Sequence, residues 1–149
     1  MLMESKLLNG RFEMALRALL ILGKTGAATL DQLLAFDFIT TSAASFNLDK
    51  ENLHGNNVFN YSEISPRRQM IDKGIGLLRM YNLVDLKFDE HRGYEYYLTK
   101  LGKSIEHQLN DHYTHQYCQV LAKVLEKYSD MSCEQMINLI NSKLLKELR

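Results

Sequence analysis

The chain has no tryptophan, a single proline and only two cysteines, and neither sign of charge dominates: 18 lysines and arginines stand against 18 aspartates and glutamates. Each shortage excludes something. Two cysteines, Cys118 and Cys133, without repeated spacing, give no disulfide framework and suit a reducing cytoplasm. Balanced charge counts against DNA as the main partner, because phosphate contacts dominate the affinity of a free-standing DNA binder and require a basic excess. The N-terminal stretch MLMESKLLNGRFEMALRALLILGKTG is interrupted by Glu13 and Arg17 and shows no small-residue cleavage site, so neither a signal peptide nor a membrane span is expected. No low-complexity segment or internal repeat is visible.

What is present is the patterning of one folded domain. The chain has 149 residues, 46% of them hydrophobic, which suffices for a real core. Arg11 to Leu22 reads as a helix, with Phe12, Ala15, Leu19 and Leu22 in one apolar stripe that Leu16, Leu20 and Ile21 widen. Only Glu13 and Arg17 mark a polar face, four residues apart and able to pair. A helix this apolar needs cover on more than one side. Thr29 is a good N-cap for a second helix running to about Ala44, with Leu30, Leu33, Leu34, Phe38 and Ile39 inward. Ser45 to Glu63 reads as a long polar loop, of the kind that is usually functional or mobile.

Pro66 then opens a third helix as an N1 proline would. Ile71, Ile75 and Leu78 face the core, and Arg68, Asp72, Gly76 and Arg79 lie on an exposed stripe. Gly74 and Gly76 weaken the helix and so suggest close approach by another backbone or a large side chain. From Leu83 to Asp89 apolar and polar residues alternate as in a strand, Glu90 to Gly93 is a turn, and Tyr94 to Leu98 returns. Thr99 caps a further helix bent near Asn110, and Ser132 caps the last, whose stripe is Met136, Leu139 or Ile140, and Leu144. The fold class expected is mainly α with a small β-hairpin. The order of elements is that of a winged helix-turn-helix domain over residues 1–104, extended by C-terminal helices over 105–149 for packing or partner contact. The exit phrase YYLTKLG, Tyr96 to Gly102, is typical of a chain leaving the wing, and speaks to fold more than to function.

The residue that demands explanation is Asp37, set between two phenylalanines in LAFDFIT. Carboxylates rarely go inside unpaired. The fold places it near the start of helix three, so a structural ion pair of Asp37 with Arg67 or Arg68, Arg67 preferred, is expected. Arg68, Lys73, Arg79, Lys87 and Arg92 are the candidate contacts to DNA or a partner. Asp31, Asp37, Asp49, Glu51 and Glu63 precede helix three against Lys50 alone, and would repel DNA from that side. His112, His115 and Cys118 follow at intervals of three, but the outer two swing to different faces of a helix, so a solvated face with Tyr113 and Tyr117 as neighbours is the better reading and no metal is expected. Gly23-Lys24-Thr25 has the ending of a phosphate loop, but Ala18 stands where the first glycine of that loop would be, so no phosphate loop is expected. No nucleophile–base arrangement stands out, so neither an enzyme nor a cofactor is expected.

From Phe12 to about Gly102 the ordered phrases FEMALRALLIL, LDQLLAFDFI, a loop with Leu53-His54 then Phe59 and Glu63, PRRQMIDKGIGLLRMYNLVD and YYLTKLG resemble the middle component, second subtype, of bacterial ABC-three component systems. Gly55 stands where that family's loop carries a proline, and the tail from about Asn110 lies outside the resemblance. The resemblance implies a small non-catalytic winged-helix subunit of the bacterial cytoplasm. It would bridge or restrain an SMC- or Rad50-like ATPase and an effector in a Lamassu-like antiphage defence complex, and meet DNA mainly through that complex. Leu53, His54, Phe59 and Glu63 then become a candidate partner-binding loop. The alternatives are a stand-alone winged-helix transcription regulator and a homodimer built through the C-terminal helices. No membrane partner is expected.

Overall fold

The computed structural model describes residues 10–49 and 64–147. Helix α1 (Arg11–Thr25) leads into the two-residue strand β1 (Ala27–Ala28), then α2 (Leu30–Thr41) and a short 3-10 turn (Ala43–Phe46). Helix α3 (Ile64–Met80) is followed by the hairpin β2 (Val84–Asp89) and β3 (Gly93–Leu98), and then by α4 (Lys100–Gln108), α5 (His112–Lys127) and α6 (Cys133–Glu147). The protein is mainly helical with one small antiparallel sheet of order β1-β3-β2.

Local chemistry explains most boundaries. Gly26, at φ +82°, ends α1 in a backbone conformation that suits glycine. Thr29 and Gln32 form a reciprocal capping box at the start of α2, the side chain of each accepting the other's backbone N–H. Ser132 and Gln135 repeat the device before α6. Helix α3 begins at Ile64, so Pro66 sits inside the first turn and not at its first position, still where a missing N–H costs no helical bond. The long helix expected after Thr99 is two: Leu109 carries extended backbone and the chain restarts at Asp111. The hairpin pairs Val84 with Leu98 through Asp89 with Gly93. On its far side β3 pairs Ala27 with Tyr97 and Ala28 with Tyr96, which makes a third strand where only a hairpin was expected.

Helix α1 is buried continuously from Met14 to Leu22 except for partly exposed Leu16. Its cover comes from within the chain. One apolar cluster joins α1, α2, α3, the sheet and α5, the last through Tyr117 and Leu121. A second joins α2 and the 3-10 turn to α5 and α6 through Phe38, Phe46, Val120, Val124, Met136 and Ile140. The expected boundary at 104/105 therefore falls inside α4, and the helices beyond it complete the core. Gly74 explains how α1 and α3 come so close: a Cβ there would stand 2.8 Å from the Ala15 backbone nitrogen. Gly76 has nothing within 4 Å of the same position, so the second glycine marks no close approach. Phe12, expected inside, is 64% exposed.

Candidate functional site

Two features stand out: a charged centre sealed inside the helices, and a set of apolar side chains left outside. The centre is Asp37, on α2. Its Oδ1 lies 2.8 Å from Nε of Arg17 and accepts the Tyr117 hydroxyl proton at 2.7 Å. Its Oδ2 accepts from Nη2 of Arg17 at 3.1 Å and from Nη1 of Arg67 at 3.4 Å. The carboxylate thus receives one hydrogen bond and a close charge contact from Arg17 of α1, one arm of Arg67 from α3, and the phenol of α5. Arg67 also donates to Thr41 Oγ1 at 2.8 Å and stacks over Phe38, its guanidinium carbon 4.9 Å from the ring centroid. Asp37, Arg17, Arg67 and Tyr117 are all buried.

Titration behaviour follows from this geometry. Burial is the largest influence on Arg17 and works against its charge, but the Asp37 carboxylate together with Tyr117 and Tyr113 outweighs it, and the guanidinium is held protonated more firmly than usual. Burial, reinforced by the Asp37 charge, drives the Tyr117 hydroxyl well above its ordinary range, so it remains a donor. Tyr113, with its ring 6.1 Å from Tyr117, is pushed up to about 12, mainly by burial and against the pull of Arg17. Half-buried Glu13 is raised chiefly by burial, with Arg17 opposing. Every member of this centre is occupied with its neighbours, and the site's chemistry is cohesion.

Arg68, the other expected candidate for Asp37, points elsewhere and pairs with Asp31 near the surface. Arg17 and Tyr117 were the missing partners. The sequence pattern puts Arg17 on a polar face, yet a cation inside a run where eight of nine residues from Met14 to Leu22 are buried is buried with them. The local pattern puts Tyr117 beside a solvated face, but it is buried and its partner lies 80 residues away, beyond the reach of any local pattern.

Among the other candidates, Lys73 and Arg79 are exposed on α3, Lys87 is exposed on β2 with its Nζ 5.8 Å from the Tyr97 ring, and exposed Arg92 lies 3.6 Å from buried Glu95. The structure does not gather them into one site. Leu53, His54, Phe59 and Glu63 lie outside the described residues. Among the described residues no group of three or more His, Cys, Asp or Glu side chains could hold a metal ion, and no helix is long and apolar enough to cross a membrane. Cys118 and Cys133 are half-buried free thiols; burial, aided by Asp31, pushes Cys133 up to about 11.

Phe12, Met131 and Leu145 are exposed at separate points, and five further apolar side chains are exposed on the end of α3, the start of α4 and the hairpin. Met80 and Tyr81, at 76% and 61% exposure, end α3, and Leu101 stands exposed on the first turn of α4. The turn and that helix are clamped together, because Thr99 Oγ1 donates to the Asn82 carbonyl at 2.7 Å and Gly102 packs on the Leu83 backbone. On the hairpin, Phe88 and Tyr94 face each other across the strands as an edge-to-face pair with centroids 5.3 Å apart.

The family model for ABC-three component (ABC-3C) system Middle Component 2 matches residues 7–149. The chain belongs to that family. The match runs through the tail from Asn110 onward, which the sequence phrases alone had left outside the resemblance. No curated protein and no solved structure matches the chain. As a middle component it is one part of a multi-component system, which implies protein partners.

Proposed function

We propose that this chain is a non-catalytic winged-helix accessory subunit that bridges or restrains an SMC/Rad50-like ATPase and an effector in a bacterial antiphage defence complex of the cytoplasm. The observation that carries the reading is the family membership over residues 7–149. The winged-helix part is supported by the order helix, short strand, helix, helix, hairpin, with the short strand closing a sheet of order β1-β3-β2. The partner-binding part is supported by Met80, Tyr81 and Leu101 at one end and by Phe88 with Tyr94 on the hairpin, aromatic and flexible apolar groups of the kind that anchor interfaces. An autonomous DNA reader fits less well. Of the arginines that open α3, Arg67 is consumed by Asp37 and Arg68 by Asp31.

The test is co-expression with the neighbouring reading frames followed by affinity purification of this chain. Recovery of a long coiled-coil ATPase in fixed ratio is expected. Recovery of this chain alone as a stable dimer, or tight operator-type binding to one DNA sequence by the isolated chain, would replace the reading with a homodimer or a transcription regulator.

A further inference from the structure

A cleft of about 430 Å³ opens between the C-terminal end of α1, the hairpin and α4. Its floor is Leu22, Gly23, Gly26 and Leu98, and its walls carry Lys87 and Tyr97 on one side and Lys103, Glu106 and His107 on the other. The two floor glycines leave bare backbone there, and the Glu106 carboxylate is tucked so close to Gly23 that a Cβ on that residue would stand 2.7 Å from it. On α4 the spacing of Lys100, Lys103 and His107 puts all three on one face. They extend about 10 Å along the axis at 1.5 Å per residue, the reach of roughly three phosphates of one strand of duplex DNA. Lys87 faces them from the hairpin. The opposing carboxylates are Glu106, of whose side chain 13% is exposed and whose Oε2 lies 3.9 Å from His107 Nδ1; Asp85, whose Oδ1 already accepts the Leu86 N–H at 2.8 Å; and Glu95, across the strands from Lys87, which is buried and 3.6 Å from Arg92. On a chain with no net charge this is a local cationic surface.

We infer that this cleft and the adjoining face of α4 hold the sugar–phosphate backbone of duplex DNA, through Lys87, Lys100, Lys103 and, when protonated, His107. The contact is independent of base sequence, and lies on the hairpin and the helix after it, not on α3. Tyr97 offers the sugar edge a flat wall, beside the Lys87 ammonium that rides 5.8 Å from its ring. A backbone contact of a few charges is weak alone and steeply salt-dependent, and it becomes useful when a partner brings the DNA.

The experiment is fluorescence anisotropy of the full chain with a labelled duplex of arbitrary sequence, titrated between about 50 and 200 mM salt. Lys87→Ala with Lys103→Ala, both exposed, should weaken binding and lower the slope of log affinity against log salt by about 2, one for each lysine removed. Lys73→Ala with Arg79→Ala on α3 should leave that slope unchanged, and thermal melts should be the same for all three proteins. The inference is overturned if the wild-type chain does not bind duplex at the lowest salt, if the α3 pair and not the cleft pair sets the slope, if single strands bind more tightly than duplex, or if inorganic phosphate fills the cleft while duplex does not bind. It does not rest on the partner reading above. The cleft variants should still co-purify with partner subunits, so the two readings fail separately.

Discussion

Two aspartate–arginine links join α2 to α3, and they are made from near neighbours. Asp31 and Asp37 lie six residues apart on one helix, and Arg67 and Arg68 are adjacent on the other. Yet Asp37 and Arg67 are buried with a second arginine and a tyrosine, while Asp31 and Arg68 keep 52% and 43% of their side chains exposed. The outer pair exchanges one set of solvated contacts for another, and such pairs contribute roughly 0–1 kcal/mol. The inner group has lost its water, so its value lies in being complete: any missing member leaves a stranded charge or donor. Four helices each supply one residue to it, and these four helices could not be assembled in another register without stranding a charge.

That contrast can be broken by mutation, beginning at its strong end. Asp37→Ala leaves Arg17 and Arg67 facing each other without a carboxylate and should cost about 3–5 kcal/mol, read as a large fall in the urea midpoint. Replacing the group together, as Arg17→Met, Asp37→Leu and Arg67→Met, should recover much of that loss, because no charge is then stranded. If the triple variant is as unstable as Asp37→Ala, uncompensated charge is not the cause. Tyr117→Phe keeps the ring and removes one donor to the carboxylate, with an expected cost of about 1.5–3 kcal/mol by the same assay. Asp31→Ala should cost under about 1 kcal/mol, and a value matching Tyr117→Phe would erase the distinction between the two links.

The smallest effect is a pH dependence at the edge of the buried group. Burial raises Glu13 above its ordinary 4.5, so the folded chain holds this proton more tightly than the unfolded chain does. Stability from this residue is therefore fully present below pH 4.5 and lost as pH rises through the raised value. Glu13→Gln should gain on the wild type as pH is raised from acid toward neutral. A difference that stays flat with pH would contradict the assignment.

Much of this architecture could be read from local pattern. The Thr29 cap, the alternation from Leu83 to Asp89 and the spacing of Ile71, Ile75 and Leu78 each report a regular element through its own neighbours. Asp37 announced that it needed a partner because a carboxylate between phenylalanines has few other solutions. What local pattern missed was decided at a distance. Strand β1 is two residues long and exists only because β3 passes beside it. Arg17 looked amphipathic beside Glu13, but Asp37 of α2 and the tyrosines of α5 meet the face on which it lies. Tyr117 joins Asp37 only after α5 folds back over the first helices. The candidate surface was less legible still. Met80, Tyr81 and Leu101 carry no motif, and what ties the segments that bear them is Gly102 pressing against Leu83.

The proposed division of labour, a buried charged centre holding the fold and an exposed apolar end meeting a partner, is tested most directly by native mass spectrometry. The sample is the co-expressed system, carrying either wild-type chain or Met80→Ser with Tyr81→Ser. The account predicts that the wild-type chain appears in a fixed-ratio complex, and that the double variant keeps the wild-type melting temperature but is released from that complex. A wild-type chain that stays free of its co-expressed neighbours, or a double variant retained in full, would contradict it.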